Sequence, residues 1–348
     1  MTGIQISVHS AIFVSNLLPV GNKPRRYIGT STSVFIMNLK GKYAVCVGAT
    51  SGIGKGVALK LAQMQANVTV VGRNATLGEE LLAELFKLNP SGDHGFIIAD
   101  ASSMKSIVQG CDDYLSKNKS KPLHFLVQSQ GMASLNGRTE TSEGIDQKLA
   151  LHHYGRVLFH RQLGDKMKET ALQSENNDVR SLSILSGGVH SAYDNLDDLD
   201  LKKNFTLTNA ANAAGFYNDL TADQLSRDDD YLKALPPGSS ADGKAVAPKR
   251  GISYIHAAPG VVATTWGKDF PWYALYPVRF LQLFAKSPET CATYMIEGGL
   301  INPIRQGQGF HIMSETGQSA HTTSLHNDKY REAVWKHTNE IIDKALRS

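Results

Sequence analysis

Cysteine is scarce: three in 348 residues, Cys46, Cys111 and Cys291, and no two stand at C-x-x-C or metal-ligand spacing. This excludes a disulfide-stapled scaffold or a zinc ribbon and suits a reducing compartment. No acidic residue occurs before Glu79. No apolar run approaches the ~20 residues a membrane-crossing helix requires; Ala11 to Val20 is interrupted by Ser15, Asn16 and Pro19. Dense Lys/Arg blocks with interleaved aromatics are missing and the formal net charge is only +4, so nucleic acid is not an expected partner. No solenoid-length repeat is found. What remains, 41% hydrophobic and 20% charged, is the composition of a soluble globular chain long enough for one large α/β domain.

The first 39 residues are acid-free and carry Lys23, Arg25 and Arg26. Two readings stay open for them: a mitochondrial presequence, which is typically basic and acid-poor, or a loosely packed extension. With no charged region ahead of the apolar stretch, a secretory signal is not expected, and the cytoplasm is the expected location, with mitochondrial import as the alternative. Residues 40–348 are expected to form a single domain.

From residue 43 onward apolar β runs alternate with helical patterns. Strands are predicted at Tyr43–Val47, Val68–Val71, Phe96–Ala99, His124–Val127, Ser181–Leu185, Ile252–Ala257 and Phe310–Met313. Their near-continuous Ile/Val/Leu character suits a parallel sheet buried on both faces, hence a doubly wound α/β fold with its ligand at the carboxyl ends of the strands. Cys46 falls inside the first strand, where it serves as a small apolar residue. Arg227 to Arg250, with Asp228-Asp-Asp230 and Pro236-Pro-Gly-Ser-Ser240, reads as a surface insertion before the sixth strand.

The first strand runs into Gly48-Ala-Thr-Ser-Gly-Ile-Gly54, and a helical pattern with Ile53, Val57 and Leu61 on one face follows. Strand, glycine turn and helix N-terminus form the geometry that cradles a dinucleotide pyrophosphate. Gly48 permits the turn, Gly52 lets the backbone approach phosphate and Gly54 lets the helix pack on the strand. The spacing, G-x-x-x-G-x-G, differs from the common G-x-G-x-x-G.

This segment resembles the T-G-x-x-x-G-I-G motif of short-chain dehydrogenases/reductases, with Val47 in place of the Thr. Pro259-Gly-Val-Val-Ala-Thr264 is similar to that family's P-G-x-V-x-T segment, Ala99-Asp100 to its adenine-contacting Asp, and Thr141-Ser-Glu-Gly-Ile-Asp146 to the start of its fourth helix. The resemblance runs from Gly41 to about Leu346 and is to a divergent, retinol-dehydrogenase-like member with a Rossmann-type, seven-stranded parallel sheet. It implies cofactor contacts from Gly48, Thr50, Ser51, Gly52, Ile53, Gly54, Asp100, Gln128, Gly131, Pro259, Gly260, Val262 and Thr264. At the end of the second strand, where a carboxylate would bond the ribose hydroxyls of NAD, stands Val71-Gly72-Arg73-Asn74; the Arg73 guanidinium suits a 2′-phosphate, so NADP(H) is the expected cofactor, with Asn74 beside it.

The family's chemistry rests on Asn, Ser, Tyr and Lys. Ser186, ending the fifth strand, matches the Ser. Tyr217 is taken as the Tyr, acting as acid and also touching cofactor, with Tyr193 its rival. The Y-x-x-x-K pattern then fails, because Thr221 holds the lysine position, and His152 stands at the Asn position. Thr221 could bond ribose but brings no charge, and His152 could share in a proton relay, although a buried helix histidine is more often a core residue. His153 and His160 share a helical face, but no ligand set completes them, and no metal is expected. The aromatic segment Trp266 to Phe284, within a covering region at about 264–290, implies a lipophilic ketone, aldehyde or alcohol as substrate; packing against the core or a homodimer partner and shallow membrane contact are its alternatives. The rival to an enzyme is a nucleotide-binding scaffold or redox sensor that has lost catalysis.

Overall fold

The computed structural model describes residues 37–173, 178–234, 238–239, 245–246, 251–264, 267, 270–271, 275–276, 279–280 and 282–348. The amino-terminal extension, apart from 37–39, and Trp266 lie outside these, as does part of the 227–250 insertion.

Seven strands form one sheet: β1 (Tyr43–Val47), β2 (Asn67–Gly72), β3 (Gly95–Ile98), β4 (Phe125–Gln128), β5 (Asp178–Ile184), β6 (Gly251–Ala257) and β7 (Gly309–Met313). Their order is β3-β2-β1-β4-β5-β6-β7, and every pairing is parallel. The crossovers are helices α1 (Gly52–Gln63), α2 (Ala75–Leu88), α3 (Met104–Lys117), α4 (Gly155–Gln173), α5 (Leu207–Ser226) and α6 (Pro288–Met295); α7 (Asp328–Arg347) ends the chain. The order reverses direction between β1 and β4, the switch point at which a doubly wound sheet opens a crevice.

Period-2 alternation splits the strands between two cores. Val45, Val47, Leu126, Val179, Ile252 and Tyr254 face a core built with α3, α4, α5 and α7. Ala44, Cys46, Phe125, Val127, Leu182, Ile184, Ile255 and Ala257 face the core under α1, α2 and α6. Both faces being covered is why the strands read as apolar throughout. Cys46 is buried in the second core, and burial pushes its thiol up to about 12, so it acts as a hydrocarbon-like filler.

Most helices begin at a side-chain cap. Asn74, Ser103, Thr206, Ser287 and Asn327 each accept a backbone N–H from the first turn of α2, α3, α5, α6 and α7. Of the other two, α4 runs on from the helical turn before it, and α1 is uncapped: its Ser51 makes no such bond and its first turn holds no acid. Its orphan amides stay available at the crevice.

Candidate active site

The turn after β1 is shaped by two left-handed glycines, Gly48 at φ +72° and Gly52 at φ +58°. Gly48 N–H donates to Val71 O at 2.9 Å, tying the turn to β2. A Cβ on Gly48 would lie 2.6 Å from the Gln130 backbone, and one on Gly54 would lie 2.2 Å from Ser129 Oγ. The hydroxyl of Ser129 donates to Val47 O at 3.2 Å, so the loop after β4 is pressed onto the glycine turn. Thr264 stands beside Gly52, where a Cβ would touch its methyl at 3.5 Å. Ser51 is exposed and Ile53 packs against the core beneath. These elements could hold a pyrophosphate at the α1 amides.

At the far end of the cradle Thr50 covers Gly72, leaving 2.6 Å between its methyl and a would-be Cβ. Arg73 follows, exposed, with its guanidinium 3.8 Å from Asp100 Oδ2. Asp100 is oriented by Ser102, whose N–H and Oγ–H donate to Oδ1 at 2.9 and 2.7 Å. Asn74 caps α2. Pro259 and Gly260 turn the chain out of β6, the latter at φ +67°, a conformation that favours glycine, with the Glu315 carboxylate lying against it. Val262 is a core residue whose backbone pairs with Lys286 in a parallel bridge.

Several expected site residues lie elsewhere. Gln128, at the end of β4, has the parity of Leu126 and points into the α4 side of the sheet. It is fully buried and bonds His160 Nε2 at 3.0 Å and Gln130 Nε2 at 3.2 Å, so it is not positioned to touch a cofactor. Gly131 is exposed at the crevice, with His152 behind it.

His152 does lie where the fourth helix begins, in a π-helical turn at Ala150–Tyr154. Its Nε2 accepts Met132 N–H at 3.0 Å, and its carbonyl accepts from Asn218 Nδ2 at 2.8 Å. Burial, helped by Arg156 and Lys148, pulls its pKa down to about 3. Accepting at Nε2, the neutral imidazole pins the 129–132 loop.

Tyr217 is in the hydrophobic core. Its ring packs against His153 and Tyr193, and its hydroxyl donates to Leu199 O at 3.1 Å. Burial raises its pKa well above 10.0. Tyr193 is buried too, donating to Asp198 O. Helical phase explains the correction: the α5 residue against Ser186 is Gly215, whose Cβ would lie 2.5 Å from Ser186 Oγ. Tyr217, two residues on, points roughly 200° away round the helix. Thr221 is also turned from the crevice, buried among Arg156, Tyr254 and Leu225. The stripe facing Ser186 is therefore Ala211, Gly215 and Asp219, with neither phenol nor ammonium.

Around Ser186 stand residues the sequence reading missed. His190 Nδ1 lies 2.8 Å from Ser186 O and 3.5 Å from Ser186 Oγ, and its Nε2 lies 3.1 Å from Asp219 Oδ2. His256, on β6, accepts Ser186 N–H at 3.2 Å and donates from Nδ1 to Asp219 Oδ1 at 2.5 Å. Beneath them Arg156 is fully buried and donates to Gln128 O, Ser183 Oγ, Gln130 O and Ile184 O at 2.6–3.1 Å. Burial lowers its pKa to about 9, so it stays a cation at neutral pH and clamps the ends of β4 and β5 together. The signal was present: an Asp and a Gly four apart in an apolar helix, after a histidine just past the Ser.

Known proteins agree with this architecture. A family model described as short chain dehydrogenase matches residues 42–175. An oxidoreductase of Emericella nidulans is 30% identical over 341 residues, covering 87% of this chain and 93% of that protein. Human polyprenol dehydrogenase is 25% identical over 301 residues, covering 86% of this chain and 84% of its own. Among solved structures, the NADPH-bound carbonyl reductase from chicken fatty liver superposes with a TM-score of 0.56 at 16% identity, over 81% of this chain and 99% of that one. With this fold, this glycine turn and a relative so similar over nearly its whole length, the chain belongs to the short-chain dehydrogenase/reductase family.

Proposed function

We propose that this chain is an NADP-dependent oxidoreductase acting on a lipophilic ketone or aldehyde, or on the corresponding primary or secondary alcohol. The observation that carries the reading is the cradle itself: two left-handed glycines lead into an uncapped, acid-free helix N-terminus, and an exposed arginine stands where NAD enzymes place a carboxylate. Gly48, Thr50, Ser51, Gly52, Ile53 and Gly54 would hold the pyrophosphate. Arg73 would pair with the 2′-phosphate while Asp100 lies toward the adenine. Gly131 and the 259–264 turn would border the nicotinamide half. The bound nicotinamide supplies or receives the hydride. Ser186, half-buried at the end of β5, would hold the substrate oxygen by its hydroxyl.

A lipophilic substrate is favoured by the surface beside this turn. Val261, Tyr276, Phe280, Leu283 and Phe284 are all exposed, and the Phe280 and Phe284 rings meet edge to face at 5.6 Å. This stretch is tied to the cofactor turn, since Ala263 N–H donates to Lys286 O and Arg279 donates to Thr264 O. Human polyprenol dehydrogenase, named for a lipid alcohol, is a relative. Among the described residues no helix is long and apolar enough to cross a membrane. A cytoplasmic location is our assignment, in keeping with three free, buried cysteines.

One observation favours a second reading: the Ala211–Gly215–Asp219 stripe lacks the family's phenol and ammonium, as a nucleotide-binding scaffold without catalysis would. Calorimetric titration with NADPH and NADH, followed by a screen of NADPH oxidation against hydrophobic ketones and aldehydes, separates the two. Tighter NADPH binding with turnover supports the enzyme. Binding with no turnover on any carbonyl supports the scaffold, and no binding sinks both.

A further inference from the structure

Resting on the oxidoreductase reading, we propose that Ser186, His190 and Asp219 form a proton relay in place of the missing Tyr–Lys pair: Ser186 hands its hydroxyl proton to the substrate oxygen, and His190, backed by Asp219, replaces it.

The hydrogen-bond directions follow from the acceptors. A carbonyl oxygen only accepts, so the 2.8 Å contact between His190 Nδ1 and Ser186 O puts a proton on Nδ1. The same N–H lies 3.5 Å from Ser186 Oγ, which is left with its own O–H to donate elsewhere. On the other edge of the ring, Nε2 faces Asp219 Oδ2 at 3.1 Å. His256 fixes the carboxylate: its Nε2 accepts Ser186 N–H, so its Nδ1 carries the proton donated to Asp219 Oδ1. Both nitrogens of His256 are thus engaged within the chain, which argues against the His190–Asp219–His256 cluster serving as a metal site.

Gly215 makes the arrangement possible. Any side chain there would start 2.5 Å from both His190 Cγ and Ser186 Oγ. A lysine at that position and the His190 ring exclude one another. The His190 side chain is only 2% exposed, so it reaches substrate through Ser186 and is a positioning residue.

The groups facing His190 are Ser186 on its own loop, Asp219 and Gly215 on α5, and the His256 ring stacked at 5.8 Å from β6. Burial lowers the His190 pKa, but the Asp219 carboxylate and the Ser186 carbonyl outweigh it and hold the value above 6.5. Burial keeps His256 neutral. Asp219 stays ionised because His256 and His190 overcome its own desolvation.

In reduction the carbonyl carbon gains a hydride from reduced nicotinamide dinucleotide, and the carbonyl π pair moves onto oxygen. The Ser186 O–H bond breaks as the alcohol O–H forms. The His190 Nδ1–H bond breaks as Ser186 Oγ–H re-forms. The imidazolium becomes neutral imidazole, its Nε2 still facing the Asp219 carboxylate, and regains its proton from solvent before the next turn.

The test has two arms on the full chain. By NMR, without cofactor, the His190 imidazole is expected to titrate above 6.5, and Asp219→Asn is expected to lower that value. An unperturbed His190, or one indifferent to Asp219→Asn, overturns the relay whether or not turnover is found. In kinetics, carbonyl reduction is expected to fall as pH rises through the His190 pKa, and alcohol oxidation to rise. His190→Gln, which keeps a hydrogen-bonding side chain should Asp219→Asn fail to fold, is expected to lower turnover about 100-fold and flatten the pH profile, with NADPH affinity unchanged. Full activity in His190→Gln, or stoichiometric zinc in the purified protein, refutes the relay. Loss of NADPH binding in the wild-type chain would instead refute the oxidoreductase reading.

Discussion

The glycine turn allows a sharp test, because one substitution should have opposite signs at two positions. At Gly48 a side chain meets two obstacles. The left-handed φ of +72° costs a non-glycine residue ~1–2 kcal/mol. The new Cβ would also sit 2.6 Å from Gln130 Cα and N, and backbone atoms held by Arg156 cannot step aside; such overpacking costs ~1–3 kcal/mol. Gly48→Ala should therefore lose ~2–5 kcal/mol, a large part of the ~5–15 kcal/mol that holds a domain together. Gly164, inside α4, has no atom within 4 Å of a would-be Cβ and a helical backbone. Gly164→Ala should gain about 0.5–1 kcal/mol through lost unfolded-state entropy. Urea unfolding followed by tryptophan fluorescence measures both, read as midpoint shifts at constant slope. NADPH affinity should fall in Gly48→Ala alone. If the two variants unfold alike and bind NADPH alike, the tight turn is not what shapes the cradle.

Other expectations follow from single contacts. Arg73→Ala should narrow the gap between NADPH and NADH affinity by ~1–3 kcal/mol, the worth of a charge-assisted bond, while NADH binding holds; calorimetry reads both. Tyr217→Phe should cost about 1 kcal/mol by leaving Leu199 O without its donor, and leave NADPH affinity and turnover intact; a large loss of turnover would return Tyr217 to the chemistry. Asp223 feels desolvation upward, but His326 and Arg227 hold its carboxyl down to about 2, against 3.8 when free. A depressed carboxyl contributes stability above its unfolded pKa and loses it as pH falls toward the folded one. The wild type should thus exceed Asp223→Asn by ~1 kcal/mol at pH 6, after allowance for solvent screening, and the difference should vanish as pH falls from 4 to 2, measured by thermal unfolding across pH.

The seven strands were legible because a sheet covered on both faces writes itself as apolar runs, and each expected run falls within a few residues of its observed strand. The place of Ser186 just past β5 was legible for a similar reason, since the apolar run marks where the strand ends. Parity would have placed Gln128 correctly: it shares a face with Leu126, under α4. Tyr217 misled because a tyrosine after a long loop fits a motif read in one dimension, whereas helical phase is set in three. Gly215 and Asp219 fix that phase, one by having no side chain against Ser186 and the other by its bond to His256 and its close approach to His190. The Arg156 clamp was hidden, because nothing in a sequence tells a helix arginine that faces solvent from one whose acceptors are the carbonyls of two strand ends.

The most direct test of the account is a single-turnover experiment: the full chain loaded with NADPH, mixed with a long-chain aldehyde, with reduced nicotinamide followed by fluorescence and the product by mass spectrometry. One equivalent of NADPH is expected to be consumed per alcohol formed, faster at pH 6 than at pH 9. NADPH that binds and persists, with no alcohol from any lipophilic carbonyl, would contradict it and leave a nucleotide-binding scaffold in its place.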